Sequence, residues 1–522
     1  MKLERAENGK RNILYGIISK VVAIVLPFLI RTVVIRTLGA EYLGLNGLFA
    51  SILQVLNMSE LGFSSAVVYS MYRPIAENDE EAICALLNFY RKVYKVIGTC
   101  ILTAGLMLLP FLTHLIKDGA VPAGMNIYIL YVIYLANTVI SYYLFAYKTS
   151  LLYAFQRVDV VSRTLTLTQG LMYLCQIGIL LCLKDYYLYL VMMPVFTILN
   201  NLINNRKIKR LFPQYVCRGK IHEREYSAIK RQVPGLMINK LCQTSRNALD
   251  SIFISAFLGL SASGMYGNYY YVMNALISVL IIFDNSIIAG VGNSEVTESK
   301  EKNYRTMNQL NFIYMWIVGW CSICMFNLYQ PFVQLFFGKE MLFSMDITAL
   351  FCIYFYVLGM GVVRGIYKEA AGLWWETRYY SIAETTGNLL LNYYLGKYFG
   401  VAGIIAATLI TLFFINFLMG TNVVFKYYFQ NGKIAEYYLL HGKYALATLT
   451  AGTLSTILIS RVPGEGIASL AAKGILCALV PNVIYLFLYF RTKEYRSSIG
   501  WLLGIFGLSR RLSFLLPRRQ RR

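Results

Sequence analysis

The sequence lacks the motifs of most metal-dependent and nucleotide-driven enzymes. Its three histidines, His114, His222 and His441, are far apart, and its ten cysteines are scattered, mostly within apolar runs. One close pair, Cys321 and Cys324, has no second pair and no histidine nearby, which argues against a zinc or redox site. A Gly-x4-Gly-Lys-Ser/Thr phosphate loop is also absent, so the chain does not itself look like an ATPase. We therefore expect no enzymatic activity, no metal and no cofactor.

Long polar segments are scarce too, and apolar runs take their place from Ile13 to Phe490. Hydrophobic residues make up 57% of the 522 positions, aromatic residues make up 15%, and the mean hydropathy is +0.53. A hydrocarbon core about 30 Å thick needs about 20 apolar residues of helix, so each run is a candidate span. The runs are continuous and do not alternate in polarity, which excludes a transmembrane barrel. The predicted fold class is an all-α polytopic membrane protein.

The apolar runs predict about fourteen transmembrane helices. The predicted spans are residues 13–35, 44–70, 93–115, 126–147, 161–183, 187–205, 233–257, 265–291, 309–337, 346–366, 379–397, 401–425, 443–461 and 468–490. The first run is too long for the apolar core of a signal peptide, and we interpret it as an uncleaved span. An even number of spans places both termini on the same side of the membrane.

Acidic residues are scarce, since 26 Asp and Glu stand against 49 Lys and Arg, for a net charge of +23. In a soluble protein this balance would suggest nucleic acid, but in a membrane protein it more often reports topology. Nine basic residues lie between Arg206 and Arg231, and nine more lie between Arg491 and Arg522. The gaps on the opposite side hold far fewer. By the positive-inside rule, both termini are predicted to be cytoplasmic, and no nucleic-acid partner is expected.

A repeated glycine pattern predicts two related groups of helices. The pattern Leu-Gly-x4-Gly-x2-Gly occurs at residues 38–47 and again at 258–267, an offset of 220 residues. Six predicted spans separate the copies, so both start from the cytoplasm and form a parallel repeat of two lobes around a central cavity. Such an architecture is typical of alternating-access transporters. The predicted regions are an N-terminal lobe (1–205), a cytoplasmic linker (206–232), a C-terminal lobe (233–425), two extra spans (426–490) and a basic cytoplasmic tail (491–522).

Basic residues inside predicted spans are candidate ligands for an anion, because a charge at the bilayer centre costs roughly 2.5–3.5 kcal/mol on insertion scales. The first span holds Lys20 and Arg31 on one helical face, although Arg31 could instead snorkel to the outer interface. The seventh span has a polar stripe that includes Lys240 and Arg246. Arg246 and Asp250 are spaced as an i, i+4 pair, which could simply hold the lobes together. Arg364 lies near the inner end of span ten.

Acidic residues inside the spans are candidates for binding a coupling cation or proton. They are Asp250, Glu60, Asp284 and Glu384. For each one, a role as a hydrogen-bond acceptor in helix packing is the competing interpretation.

Seven short stretches of the sequence resemble the polysaccharide-transport branch of the MOP superfamily, the Wzx-type flippases of O-antigen and teichoic-acid type glycans. The stretches are residues 27–32 (PFLIRT), 38–49 (LGAEYLGLNGLF), 59–63 (SELGF), 250–255 (DSIFIS), 291–294 (VGNS), 336–338 (FFG) and 371–375 (AGLWW). They follow one another in the expected order, and the resemblance extends over nearly the whole chain.

The resemblance implies a flippase in the bacterial plasma membrane. Its cargo would be an undecaprenyl-pyrophosphate-linked oligosaccharide for capsule or exopolysaccharide synthesis, moved from the cytoplasmic to the outer leaflet. A polysaccharide polymerase and glycosyltransferases would be its partners. The diphosphate would be attracted by the basic candidates, since arginine binds phosphate in a bidentate manner.

Three other functions stay open. A peptidoglycan lipid-precursor flippase is the nearest in activity. A multidrug or cation exporter of the same fold predicts an acidic cavity, whereas the charges of spans one and seven are mostly basic. An integral-membrane polymerase or glycosyltransferase would ordinarily want a larger outer loop.

Overall fold

The computed structural model describes residues 5–60, 63–119, 121–221, 223–430 and 432–505. Some side chains inside helices also lie outside the described part, including that of Lys240. In the described ranges the chain is almost entirely helical, and these ranges contain no β-strand. Its helices form two compact units, Met1–Gly267 and Asn268–Arg522.

The first unit contains nine complete helices and the start of a tenth. They are α1 (Arg5–Thr37), α2 (Ala40–Leu56), α3 (Phe63–Glu77), α4 (Glu80–Met107), α5 (Ile127–Tyr143), α6 (Thr149–Ala154), α7 (Val158–Cys182), α8 (Tyr186–Leu211), α9 (Glu223–Leu258) and α10 (Leu260–Thr297). Short 3₁₀ segments at Asn57–Glu60 and Ala146–Lys148 interrupt the predicted second and fourth spans. Inside this unit α1 packs on α7, α8 packs on α5 and α7, and α9 packs on α2 and α3.

The second unit takes the rest of α10 and eight further helices. They are α11 (Lys300–Phe337), α12 (Met345–Met360), α13 (Val362–Ala370), α14 (Arg378–Ile410), α15 (Gly420–Val424), α16 (Ile434–Ile459), α17 (Ile467–Tyr489) and α18 (Lys493–Ile505). Two π-helical segments, Thr411–Met419 and Phe425–Phe429, flank α15. Helix α11 is central to this unit, because α12, α16, α17 and α18 all pack on it.

Where the structure describes them, most of each predicted span is helical. In the described residues, six helices are long and apolar enough to cross a membrane, or eight if each sharply bent pair counts as one span. The other predicted spans fall on helices that are shorter or more polar, such as α2 and α9. At Gly400 the backbone leaves the helical conformation (φ 59°, ψ −137°), which separates the predicted spans 379–397 and 401–425. The chain is a multi-pass membrane protein, while the count of fourteen spans stays a prediction.

Several of these helices begin at a single polar side chain that caps the first turn. Because one residue is enough for the cap, the gaps between the helices can be short. Asp79 accepts a hydrogen bond from the backbone of Ala82 at the start of α4, and Asp185 does the same for α8. Asn126 and Ser299 cap α5 and α11. A capping oxygen satisfies an N–H group that the first turn of a helix leaves without a partner.

Large apolar side chains lie on the outer surface of both units. Phe487 is 90% exposed, Tyr398 is 75% exposed and Met107 is 73% exposed. So large an exposed apolar surface is unfavourable in water and is expected where lipid is the solvent. Helix α9 belongs to the first compact unit, whereas the sequence repeat starts its second lobe with that helix. The lobes derived from the repeat stay a prediction, because compactness alone does not test them.

Candidate functional site

The two glycine patterns form turns of the same kind. Gly39 lies between α1 and α2 with φ 111°, and Gly259 lies between α9 and α10 with φ 94°. A residue with a side chain rarely adopts a positive φ of this size, so glycine is required at both turns. The shared spacing in the sequence therefore corresponds to a shared backbone geometry.

The two patterns also contact each other, and they do so reciprocally. A methyl group on Gly44 would lie 2.0 Å from the backbone oxygen of Leu260, and one on Gly264 would lie 2.5 Å from the backbone oxygen of Ala40. Leu260 and Gly264 occupy in the second pattern the positions that Ala40 and Gly44 occupy in the first. Helices α2 and α10 thus touch backbone to backbone through a pair of equivalent contacts. No side chain fits between them.

Arg31 lies beside this contact. A methyl group on Gly267 would lie 3.5 Å and 3.6 Å from the two terminal nitrogens of Arg31. The side chain is partly buried, as is that of Lys20 on the same helix. The guanidinium of the first span therefore points to the second turn of α10 and not simply to the lipid interface.

Helix α9 brings its ionisable residues to the same region. Asp250 is 1% exposed and accepts a hydrogen bond from the hydroxyl of Tyr266 at 3.2 Å. Tyr266 is the neighbour of Gly267 in the chain, so α10 contacts both Asp250 and Arg31. Arg246 lies one turn before Asp250 and is 7% exposed. The structure thus brings Arg31 and Asp250 to the start of α10, and Arg246 is buried one helical turn from Asp250 on α9.

Glu60 is held in a cage of tyrosines at the break between α2 and α3. The hydroxyls of Tyr94 and Tyr142 both donate to its carboxylate. Tyr142 is also within hydrogen-bond distance of Asn57 Oδ1, at 3.2 Å, and the rings of Tyr94 and Tyr142 pack 5.2 Å apart. Both tyrosines are buried, whereas Glu60 is partly exposed. The cage holds the carboxylate in place with neutral donors.

A related arrangement occurs in the second unit, where the hydroxyl of Tyr314 donates to Asp284. Tyr314 follows Tyr94 by 220 residues, the same offset as the glycine repeat, and Asp284 follows Glu60 by 224, one helical turn more. In the described part of the chain, neither Glu60 nor Asp284 forms an ion pair with a lysine or arginine. Glu60 and Asp284 therefore each accept a hydrogen bond from at least one tyrosine hydroxyl.

Arg364 has a different environment. It is 5% exposed, and its guanidinium donates to the backbone oxygens of Asn416 and Phe417 and to the side-chain oxygen of Asn416. The amide of Asn416 donates in turn to Glu384 Oε2 at 2.7 Å. Both acceptors of Arg364 lie in the π-helical segment Thr411–Met419. Arg364 and Glu384 thus belong to one network, and the arginine ties α13 to that segment.

The amides that follow Glu384 on α14 pack within the second unit. Asn388 Nδ2 donates to Thr408 Oγ1 at 3.0 Å, and Asn392 Nδ2 donates to Asn388 Oδ1 at 3.2 Å. Both asparagines are fully buried. This row joins the two halves of α14 on either side of Gly400.

A row of hydrogen bonds along α8 was not among the predicted sites. Thr197 donates to Asn137 Oδ1 at 2.7 Å, Asn201 donates to Ser141 Oγ at 3.4 Å, and Lys148 donates to Asn205 Oδ1 at 2.8 Å. The α8 members are spaced by four residues, a signal that the sequence does contain. The sequence does not show which helix these residues face, because that depends on how α5 packs on α8.

An apolar groove of about 450 Å³ runs between α16 and α17, the two helices beyond the repeat. Its lining is aliphatic and consists of Leu454, Ile457, Leu458, Leu479, Val480, Val483 and Ile484. The groove is open, so a hydrocarbon chain can reach it from the bilayer.

No family model matches the chain, and no curated protein matches its sequence. Solved structures do match it. The lipid II flippase MurJ, in an inward closed conformation, has a TM-score of 0.65 over 91% of this chain and 99% of its own, with 13% identity. An inward-facing MATE multidrug transporter of the MOP superfamily has a TM-score of 0.61 over 76% and 93%, with 15% identity. A mutant of the Vibrio cholerae MATE transporter VcmN has 0.56 over 81% and 98%, with 14% identity.

The chain has the MOP fold. At 13–15% identity the likeness concerns the fold alone, and it agrees with the fold class predicted from the sequence. What this chain carries across the membrane has to be argued from its own residues.

Proposed function

We propose that the protein is a flippase that moves undecaprenyl-pyrophosphate-linked oligosaccharide from the cytoplasmic to the outer leaflet by alternating access. The observation that carries the proposal is the placement of Arg31 and Arg246, two partly or fully buried cations of different helices, within a MOP fold. A pyrophosphate has two anionic groups, and arginine forms bidentate hydrogen bonds to such groups. Lys240 and Lys20 are proposed as further contacts to the cargo.

The close contact of α2 and α10 supports alternating access. A dry contact between two backbones separates without leaving buried polar side chains unpaired, because only glycines and carbonyl groups meet there. We assign this contact the role of the outer gate. Arg31 would then stand just inside the gate, where it meets the cargo before release.

The apolar groove supports a lipid-linked cargo. An isoprenoid tail is wholly apolar, and each buried CH₂ contributes about 0.8 kcal/mol. The aliphatic lining between α16 and α17 matches such a tail and offers it no hydrogen-bond partner. We propose that the tail rests there while the headgroup crosses.

Glu60 and Asp284 are proposed to bind the coupling cation or proton. Each carboxylate is partly exposed and held by phenols, so it can gain or lose a charge without breaking an ion pair. One charge moved through the membrane field corresponds to about 2.3 kcal/mol per 100 mV. Asp250 and Glu384, which are almost fully buried, stay weaker candidates. We assign Arg364 a positioning role, because its guanidinium already donates to backbone oxygens of the π-helical segment.

Two alternatives have support of their own. A peptidoglycan lipid-precursor flippase is favoured by the likeness to MurJ over nearly its whole length. A multidrug or cation exporter is favoured by the MATE likeness and by the partly exposed carboxylates. Both share the fold, so the choice rests on the cargo.

A flipping assay in proteoliposomes tests the proposal. The purified protein is reconstituted with a fluorescent undecaprenyl-pyrophosphate oligosaccharide, and the fraction reached by a membrane-impermeant quencher is followed over time. We expect Arg246→Ala and Lys240→Ala to slow flipping about tenfold or more, since a hydrogen bond to a charged group contributes about 1.5–3 kcal/mol. Lys95→Ala, an exposed cation of α4, is the matched control and should leave the rate unchanged.

The same liposomes separate the alternatives. Faster flipping of lipid II would favour the peptidoglycan precursor, and efflux of an organic cation without lipid flipping would favour the exporter. Glu60→Gln and Asp284→Asn test the coupling sites. If both variants respond to an imposed pH or sodium gradient as the natural protein does, these carboxylates do not bind the coupling ion.

A further inference from the structure

The end of the first unit that the basic residues predict to be cytoplasmic contains a cationic pocket that the proposed cargo pathway does not use. We define the Lys148 pocket as Arg91, Tyr147, Lys148, Asn205 and Cys217. These residues come from α4, from the break between α5 and α6, from α8 and from the segment that follows α8. The axes of the two helices at the break differ by 50°, and Phe145 there has a left-handed backbone with φ 59°. A residue with a side chain adopts this conformation only at a cost, so the break is a built feature.

The break places Lys148 among helices, where its side chain is partly buried. Its ammonium donates to Asn205 Oδ1 at 2.8 Å, and Asn205 is 7% exposed. An ammonium has three N–H donors, so this bond leaves two for another ligand. Tyr147, next in the chain, is 5% exposed and accepts from Cys217 at 3.6 Å.

Arg91 is fixed in the same pocket by a neutral partner. Its guanidinium donates to Asn88 Oδ1 at 2.9 Å, and Asn88 Nδ2 donates to the backbone oxygen of Gly219 at 2.8 Å. The segment after α8 is thereby folded back over α4. Arg91 has five N–H donors and so retains several after this bond.

The five residues of the pocket include no carboxylate. Lys209 and Arg91 act on the ammonium of Lys148 as like charges, and the thiol of Cys217 acts in the opposite sense. Within the described residues neither Arg91 nor Lys148 forms an ion pair. Arg157, by contrast, forms an ion pair with Asp159 at 2.9 Å, and the carboxylate neutralises its charge. Partly buried cations are stabilised by a nearby counter-charge. At the Lys148 pocket we expect a bound anion to supply it.

Tyrosines around the pocket indicate the depth at which the ligand lies. Tyr143 and Tyr153 flank Lys148 in the chain and are 41% and 42% exposed. Exposed tyrosines concentrate at the level of lipid headgroups, and basic pockets between helices on the cytoplasmic side bind anionic headgroups. We propose that the Lys148 pocket binds the phosphate of an anionic phospholipid of the cytoplasmic leaflet. This inference does not depend on the identity of the cargo.

Thermal unfolding in lipid nanodiscs of defined composition tests the inference. Full-length protein is compared in phosphatidylcholine alone and in phosphatidylcholine with increasing phosphatidylglycerol, and the lipids that stay bound are counted by native mass spectrometry. We expect phosphatidylglycerol to raise the unfolding temperature and to remain bound. Arg91→Met with Lys148→Met should weaken this binding about tenfold or more.

Lys92→Met with Lys95→Met is the matched control. It removes the same charge from exposed positions of α4, outside the pocket, and should retain the effect of phosphatidylglycerol. Lys148→Arg, which keeps the charge, guards against a variant that fails to fold and should also retain it. The inference is overturned if the control pair loses the effect as fully as the pocket pair. It is equally overturned if inorganic pyrophosphate gives the same stabilisation at the same phosphate concentration, since the pocket would then bind the free anion.

Discussion

The first unit and the second unit use their buried arginines in different ways. In the first, Arg31 lies against Gly267, next to the backbone contact of α2 and α10, and Arg246 is buried in α9. In the second, Arg364 donates to backbone oxygens of a π-helical segment. The two glycine turns share a backbone geometry, whereas the buried arginines of the two units do not share an environment. The difference indicates separate tasks, with Arg31 beside the glycine contact and Arg364 holding a helical segment in place.

The largest effect is expected where the two glycine patterns touch. Gly44→Ala places a methyl group 2.0 Å from the oxygen of Leu260, so the helices must move apart. Overpacking of this kind costs about 1–3 kcal/mol. We expect export to fall about tenfold and the unfolding temperature to fall with it, as measured by flipping and thermal scans.

Gly47→Ala is the matched control on the same helix. A methyl group there would lie 3.8 Å from Ser263 Oγ, an ordinary contact, and alanine favours a helix over glycine by roughly 0.5–1 kcal/mol. Export should therefore persist. Equal loss in both variants would show that the backbone contact is not special.

A cross-link tests whether the shared contact has to open. Cysteines at Gly47 and Ser263 fall within reach of a disulfide, because a Cβ at position 47 lies 3.8 Å from Ser263 Oγ. Under oxidation we expect flipping to stop, and a reductant should restore it. Each single cysteine variant is the control. Full activity of a quantitatively cross-linked sample would exclude this contact as a gate.

A smaller effect is expected in the second unit. Arg364→Ala removes the hydrogen bonds that a charged donor gives to the carbonyls of Asn416 and Phe417, and bonds of this kind contribute about 1.5–3 kcal/mol. The unfolding temperature should therefore fall. Retained specificity for the cargo, compared between two oligosaccharides, would agree with a positioning role. A change in specificity without loss of stability would place Arg364 in the cargo site and remove the contrast with Arg31.

The smallest effect is expected outside both sites, at the exposed pair of Lys339 and Glu465. Hydrogen bonds from Lys339 and Gln334 hold the pKa of Glu465 below its ordinary value of 4.5. A carboxyl with a lowered pKa contributes stability above its unfolded pKa and loses it as the pH falls through the folded value. Glu465→Gln should therefore lower the unfolding temperature at neutral pH, only slightly because the pair is exposed, and should not lower it at acid pH. Thermal scans between about pH 3 and 7 should show a shallower acid slope for the variant than for the natural chain.

The sequence predicted the parts of the fold that depend on local pattern. Apolar runs placed the spans, and the division near residues 397–401 fell where Gly400 breaks the helix. The glycine spacing predicted two equivalent turns, because a positive φ can be inferred from glycine. Reciprocal contact between Gly44 and Gly264 could not be inferred, since it depends on how α2 meets α10.

The candidate site was predictable as a set of residue types and not as a set of partners. Glu60, Asp284 and Arg364 were recognised as charges inside apolar runs. Their partners come from other helices and, for Arg364, from backbone oxygens that no side-chain pattern records. The Lys148 pocket could not be inferred, because the sequence does not show that the break after α5 brings Lys148 to Asn205 of α8.

The reciprocal backbone contact has an evolutionary consequence. Each glycine of the pair is confined by the main chain of the other pattern, so a mutation that adds a side chain at either position meets backbone that cannot turn aside. A compensating change would have to move a helix and not a residue. We therefore expect both glycines to be retained in sequences related to this one, even where the residues around them differ.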